Sequence, residues 1–176
     1  MAHPQRSQAG FTLLELMVVA IIIGLLAGVA VLSLGVLGSD QELKREALRI
    51  KSVLELLQEE ALMQGRDYGL NIHSRGYEFY IFDYDQYNWV DSGDTDILRP
   101  HELDPKLNLE FNLEGRDIVL EPLQDGIEDP EPQVLVLSGG EMTPFELGFY
   151  RELTGGRFVV VGEITGKLAI EERGFE

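Results

Sequence analysis

The sequence predicts an α+β fold, with a long N-terminal helical region, first apolar and then amphipathic, followed by antiparallel β structure. Three observations predict it. Residues 11–38 carry one charge, residues 40–64 carry an apolar stripe at helical spacing, and beyond residue 65 the apolar period drops to two. With 176 residues, the chain has room for one ordinary domain and an appendage.

The first element is the apolar run. Glu15 is its only charge, and the 23 residues 16–38 have none. As a helix rising ~1.5 Å per residue they extend roughly 34 Å, enough for a bilayer core of about 30 Å. A transmembrane helix over 11–38 is therefore expected. The competing reading is a cleavable secretory signal peptide, whose apolar region of about 7–15 residues is shorter and does not start on a carboxylate. Flanking charge leaves the orientation open: Arg6 stands on one side, and Lys44, Arg45, Arg49 and Lys51 on the other. Ala20, Gly24 and Gly28 recur every four residues, so one helix face is small enough for close packing against another helix.

The second element follows directly. In DQELKREALRIKSVLELLQEEALMQ, Leu43, Ala47, Ile50, Leu54, Leu57 and Ala61 step by four and three, placing one apolar stripe on an amphipathic helix over 39–65. Ser39 or Asp40 can cap its start and Gly65 its end. No proline lies between Pro4 and Pro100, so the two helical segments can be continuous. The stripe is read as docking onto the protein's own core, the few heptads weighing against a partner coiled coil.

Strands fill 66–176. YGLNIH and YEFYIFDY flank Ser74, Arg75 and Gly76, a hairpin signal. In LNLEFNLE, Leu107, Leu109, Phe111 and Leu113 alternate with polar residues, as in a half-buried strand. Apolar runs at 117–120, 134–138, 145–150, 158–162 and 167–170 continue the pattern, giving antiparallel sheets with the amphipathic helix over one face. Two acidic loops interrupt it, 83–105 and 121–132, and are read as solvated turns, since their carboxylates lack the ligand and glycine offsets of an EF-hand.

Composition excludes several functions. The net charge of −17 repels phosphate backbones, so no nucleic-acid partner is expected. Absence of cysteine removes disulfides and thiolate metal sites, and His3, His73 and His101 have no companions at zinc-ligand spacing, so no metal is expected. No nucleophile elbow, P-loop or dinucleotide fingerprint occurs, and no residue set nominates an enzyme.

Gly10-Phe11-Thr12-Leu13-Leu14-Glu15 resembles the processing signal of type IV pilins and type II secretion pseudopilins. The resemblance implies a leader of residues 1–10, cleavage of the Gly10–Phe11 bond by a prepilin peptidase, N-methylation of Phe11, and an assembly role for Glu15 as fifth mature residue. The methyl donor belongs to the peptidase, and this chain needs no cofactor. Chemistry fits those residue types. Gly10 puts no side chain beside the scissile bond. Cleavage exposes an α-amino group with an ordinary pKa of about 7.7–8.0, mostly cationic at neutral pH. A carboxylate near the end of an apolar helix is costly alone and much less so when paired, although snorkelling to the headgroups is a second role its position permits. Relatives commonly carry proline where this chain has Leu32, leaving Gly35 and Gly38 as the residues that would permit helix melting on assembly.

SGGEMTPFELGFY at 138–150 and GEITGKLAI at 162–170 further resemble the minor pseudopilin H group. That resemblance implies a pilin-like long helix packed on a β-sandwich of two antiparallel sheets, and a structural, non-enzymatic subunit. Its place would be the bacterial inner membrane, single-pass, with a cytoplasmic N-terminus and periplasmic C-terminal domain. The implied partners are the other minor pseudopilins, the major pseudopilin, prepilin peptidase and the inner-membrane assembly platform. A FimT-like minor pilin in pilus assembly or DNA uptake is the alternative, opposed by the acidic ending AIEERGFE.

Overall fold

The computed structural model describes residues 13–91, 98–123, 130–152 and 154–174, with the side chains of 27–40 and 154–155 outside that description. Helix α1 runs Leu13–Gln64. The chain divides into two units, Met1–Gly38 and Ser39–Glu176. In the second unit the helical stripe is the core: Leu43, Ala47, Ile50, Leu54, Leu57 and Ala61 are each 0% exposed. Gly65, at φ 65°, ends the helix by donating its N–H to the Ala61 carbonyl at 2.9 Å, the left-handed cap that glycine adopts most cheaply.

Ten strands follow. β1 (Tyr68–His73), β2 (Gly76–Asp83), β3 (Asn88–Asp91), β4 (His101–Glu102) and β7 (Val134–Val136) form the first sheet, in the order β3-β2-β1-β7 with β4 also on β2. β5 (Asn108–Leu113), β6 (Arg116–Ile118), β8 (Phe145–Arg151), β9 (Thr154–Gly162) and β10 (Leu168–Gly174) form the second, in the order β10-β9-β8-β5-β6. All pairings are antiparallel. Alternation along each strand sends Leu70, Ile72, Tyr77, Phe79, Phe111, Leu147, Phe149 and Val160 into one cluster with the helical stripe.

Local chemistry fixes the register. Glu114 at φ 52° and Gly115 at φ 81° make the two-residue turn between β5 and β6, a geometry that needs positive φ at both positions. The expected strand 107–114 thus ends one residue early, because Glu114 belongs to the turn. Gln133 extends the short β7 with its side chain: its amide accepts from Ile72 N at 2.8 Å and donates to Ile72 O at 3.1 Å. The acidic stretch 83–105 contains β3 and β4, which alternation did not reveal because each is short and shares its residues with turn-forming acids.

Candidate functional site: the N-terminal helix

Gly10 and Phe11 lie outside the described residues, as does the rest of the expected leader, residues 1–10. Glu15 stands in the first turn of α1, exposed, where the backbone N–H groups and the positive end of the helix dipole favour a carboxylate. Around it the helix is apolar on every side. Leu13 and Leu14 are 77% and 73% exposed, and Met17, Ile21, Ile23, Leu25 and Leu26 are all more than half exposed. A helix apolar all round is stable only when lipid or other helices cover it, since one buried stripe would suffice for a helix docked on its own domain.

Ala20 and Gly24 lie one turn apart on this segment, both exposed, and a Cβ added at Gly24 would meet nothing within 4 Å. Gly28 belongs to α1, but its surroundings are outside the described residues. Among the described residues no helix is long and apolar enough to cross a membrane. The apolar run of the sequence continues through 27–38, whose side chains are outside that description, so the spanning expectation rests on the sequence.

The second half of α1 is held to its domain by polar contacts as well as by the stripe. Glu46 Oε2 meets His101 Nε2 at 2.8 Å, Glu42 pairs with Arg151, and Tyr68 O–H donates to Glu60 at 3.3 Å. Among the described residues, no group of three or more His, Cys, Asp or Glu is arranged to hold a metal ion. Asp83 and Asp104 serve turns, Asp83 accepting the N–H groups of Asp85 and Gln86, and Asp104 that of Lys106. Asp94 and Asp96 lie outside the described residues. Burial alone would raise the Asp67 pKa, yet hydrogen bonds from the Tyr84 hydroxyl and from Ser138 outweigh it and hold the carboxyl below its ordinary value.

Sequence reasoning missed one feature, an aromatic cluster around the β2–β3 hairpin made by Phe82, Tyr84, Tyr87 and Trp89. Its signal was the four aromatic residues spaced through 82–89, which the density of acids in that stretch obscured.

A family model described as the prokaryotic N-terminal methylation motif matches residues 5–38. Type II secretion system protein H of Pseudomonas aeruginosa is 37% identical over 147 residues, covering 81% of this chain and 83% of the relative. The protein of the same name from Aeromonas hydrophila is 37% identical over 145 residues, covering 80% and 79%. The crystal structure of the minor pseudopilin EpsH from the Vibrio cholerae type II secretion system matches with a TM-score of 0.63 at 27% identity, covering 74% of this chain and 96% of that one.

Proposed function

The chain belongs to the type II secretion system protein H family, and from that premise we propose that it is a minor pseudopilin, a structural subunit without catalytic activity. It is made as an inner-membrane precursor with residues 1–10 in the cytoplasm, cut by a prepilin peptidase between Gly10 and Phe11, and methylated on the new terminus. The mature subunit enters a periplasmic pseudopilus near its tip, beside the other minor pseudopilins and the major pseudopilin, and the filament helps to drive folded proteins across the outer membrane. The observation that supports this reading most directly is the first half of α1, apolar around its circumference with Glu15 in its first turn.

That arrangement has a chemical logic. In lipid or in a helical bundle the exposed leucine, isoleucine and methionine side chains of residues 13–26 find apolar cover. Glu15 then becomes the one ionised group in apolar surroundings, where its most favourable partner is a cation at the same depth. The α-amino group of a neighbouring subunit's Phe11, freed by cleavage, supplies it. Ala20, Gly24 and Gly28 let neighbouring helices approach closely.

Co-expression with an active prepilin peptidase tests the reading. Intact mass is expected to fall by residues 1–10 and rise by one methyl group, and Gly10→Val to block both changes by placing a branched side chain at the scissile bond. An unchanged N-terminal mass in the presence of the active peptidase would overturn the reading.

A further inference from the structure

We propose that the outer face of the first sheet, at the β2–β3 hairpin, is a docking platform for an arginine-bearing segment of a partner protein. The inference does not depend on the processing reading above, and the two fail separately.

Tyr77 and Phe79 point into the core, so alternation along β2 puts Tyr80 and Phe82 on the opposite face, where Tyr80 is itself covered, at 9% exposure, and Phe82 is half-buried. Register places Trp89 of β3 opposite Phe82 and Asp91 opposite Tyr80. Phe82 is the hub, with ring centroids 4.9 Å from Tyr84, 5.1 Å from Trp89 and 6.5 Å from Tyr87, all edge-on. Gly69 of β1 makes room for this layer: a Cβ there would come within 2.3 Å of Pro132 and 3.1 Å of the Trp89 ring. Two rings of the cluster remain open, Tyr84 at 48% and Tyr87 at 80% exposure. Clustered tyrosine and tryptophan at a surface are the residue types that dominate binding hot spots.

Tyr87 carries the second observation. Its φ is 56°, the left-handed region, which glycine or asparagine occupies far more cheaply than an aromatic residue. The ring gains little burial in exchange. A strained residue holding its side chain out into solvent is an outlier of the kind that accumulates at binding sites.

Charge selects the occupant. Asp85 and Asp91, both exposed, flank the rings, and Asp67 and Asp83 lie at the base of the same hairpin, where Tyr84 O–H donates to Asp67 at 2.7 Å. Arg66 is the cation bordering the cleft beside Phe82 and Tyr84. A guanidinium stacks on tyrosine and tryptophan faces while donating to carboxylates at its rim, whereas a lysine ammonium offers no plane to stack. A second copy of this chain would bring the same acidic surface and is disfavoured by the −17 charge.

The experiment uses the detergent-solubilised full chain, whose single tryptophan is Trp89 and reports on the patch by its fluorescence. The probes are acetyl-Gly-Arg-Gly-Arg-Gly-amide and its lysine and citrulline counterparts. A saturable change is expected with the arginine peptide, binding about fivefold weaker with lysine, and none with citrulline. Tyr87→Gly is expected to weaken arginine-peptide binding about fivefold or more without lowering the melting temperature, because glycine relieves the left-handed strain. Glu172→Gln on the exposed end of β10 is expected to leave binding unchanged, while Asp85→Asn weakens it. Equal binding of arginine and citrulline peptides, wild-type affinity in Tyr87→Gly, or equal losses in Glu172→Gln and Asp85→Asn would each overturn the proposal.

Discussion

Gln58 Nε2 donates to the Gly166 carbonyl at 2.6 Å, joining α1 to the turn between β9 and β10 across 108 residues of sequence. Gly166 sits at φ 83°, and a Cβ there would lie 2.3 Å from the Gly140 carbonyl oxygen and 2.4 Å from Gln58 Nε2. Helix, β9–β10 turn and the 137–140 turn therefore meet where only glycine fits. Gly166→Ala combines left-handed strain with a backbone clash and is expected to cost ~2–4 kcal/mol. Gln58→Ala removes one part-buried hydrogen bond and is expected to cost ~1 kcal/mol. Chemical denaturation of the full chain, followed by far-UV circular dichroism, separates the two. Similar midpoints for both variants would show that the close approach relaxes easily.

The helical stripe allows a paired test on one element. Leu54 is 0% exposed and Leu48 46% exposed. Leu54→Ala is expected to cost ~2–5 kcal/mol through lost transfer energy and a residual cavity, and Leu48→Ala within ~0.5 kcal/mol of nothing. The same denaturation measurement decides, and equal losses would mean that the stripe does not anchor the domain.

Acid should weaken the domain in two separate windows. Burial holds the His73 pKa below its ordinary 6.5 despite the attraction of Glu78 and Glu102, and Nδ1 accepts the Arg75 N–H at 3.3 Å, which requires the neutral ring. Above pH 6.5 neither the folded nor the unfolded state is protonated here. Below it the unfolded chain takes up the proton first, so stability falls until the folded pKa is passed. Asp67, depressed below 3.8, and Glu146, held below 4.5 first by the hydrogen bond from Arg173, add losses of the same sign at lower pH. Melting temperatures from pH 7 to 5 are expected to fall for the wild type and to fall less for His73→Asn, with the two converging in slope once the pH has passed below the folded-state pKa of His73. Parallel slopes between pH 7 and 5 would remove His73 from the account.

Glu15→Ala separates processing from assembly. The residue is four positions beyond Phe11, so cleavage by the peptidase is expected to survive, whereas incorporation into the filament should drop because a neighbouring amino terminus loses its anion. Intact mass reads the first and quantification of the subunit in sheared filaments the second. Equal incorporation of mutant and wild type would refute the pairing role.

Much of the fold was legible because each element buries its apolar residues at a period the chain displays openly. The stripe from Leu43 to Ala61 is fully buried, and the alternation from Leu107 on became β5, which starts at Asn108. What failed was local. β3 and β4 have four and two residues, too few for alternation to rise above the surrounding acids, and they exist because β2 offers an edge to pair with. Glu114 was absorbed into a strand because nothing in LNLE announces a positive φ before the glycine.

By itself the sequence determined the membrane-length apolar run, its single carboxylate, the GFTLLE signal and the helical stripe, since these are matters of residue type at fixed spacing along one chain. Tertiary structure decided which distant residues meet. Gln58 finds Gly166, Gln133 supplies the missing backbone partner of Ile72, and Tyr87 is turned outward beside Phe82 and Trp89. The reason is that register and turn geometry, set by packing of the whole domain, choose among pairings that local propensity leaves equal.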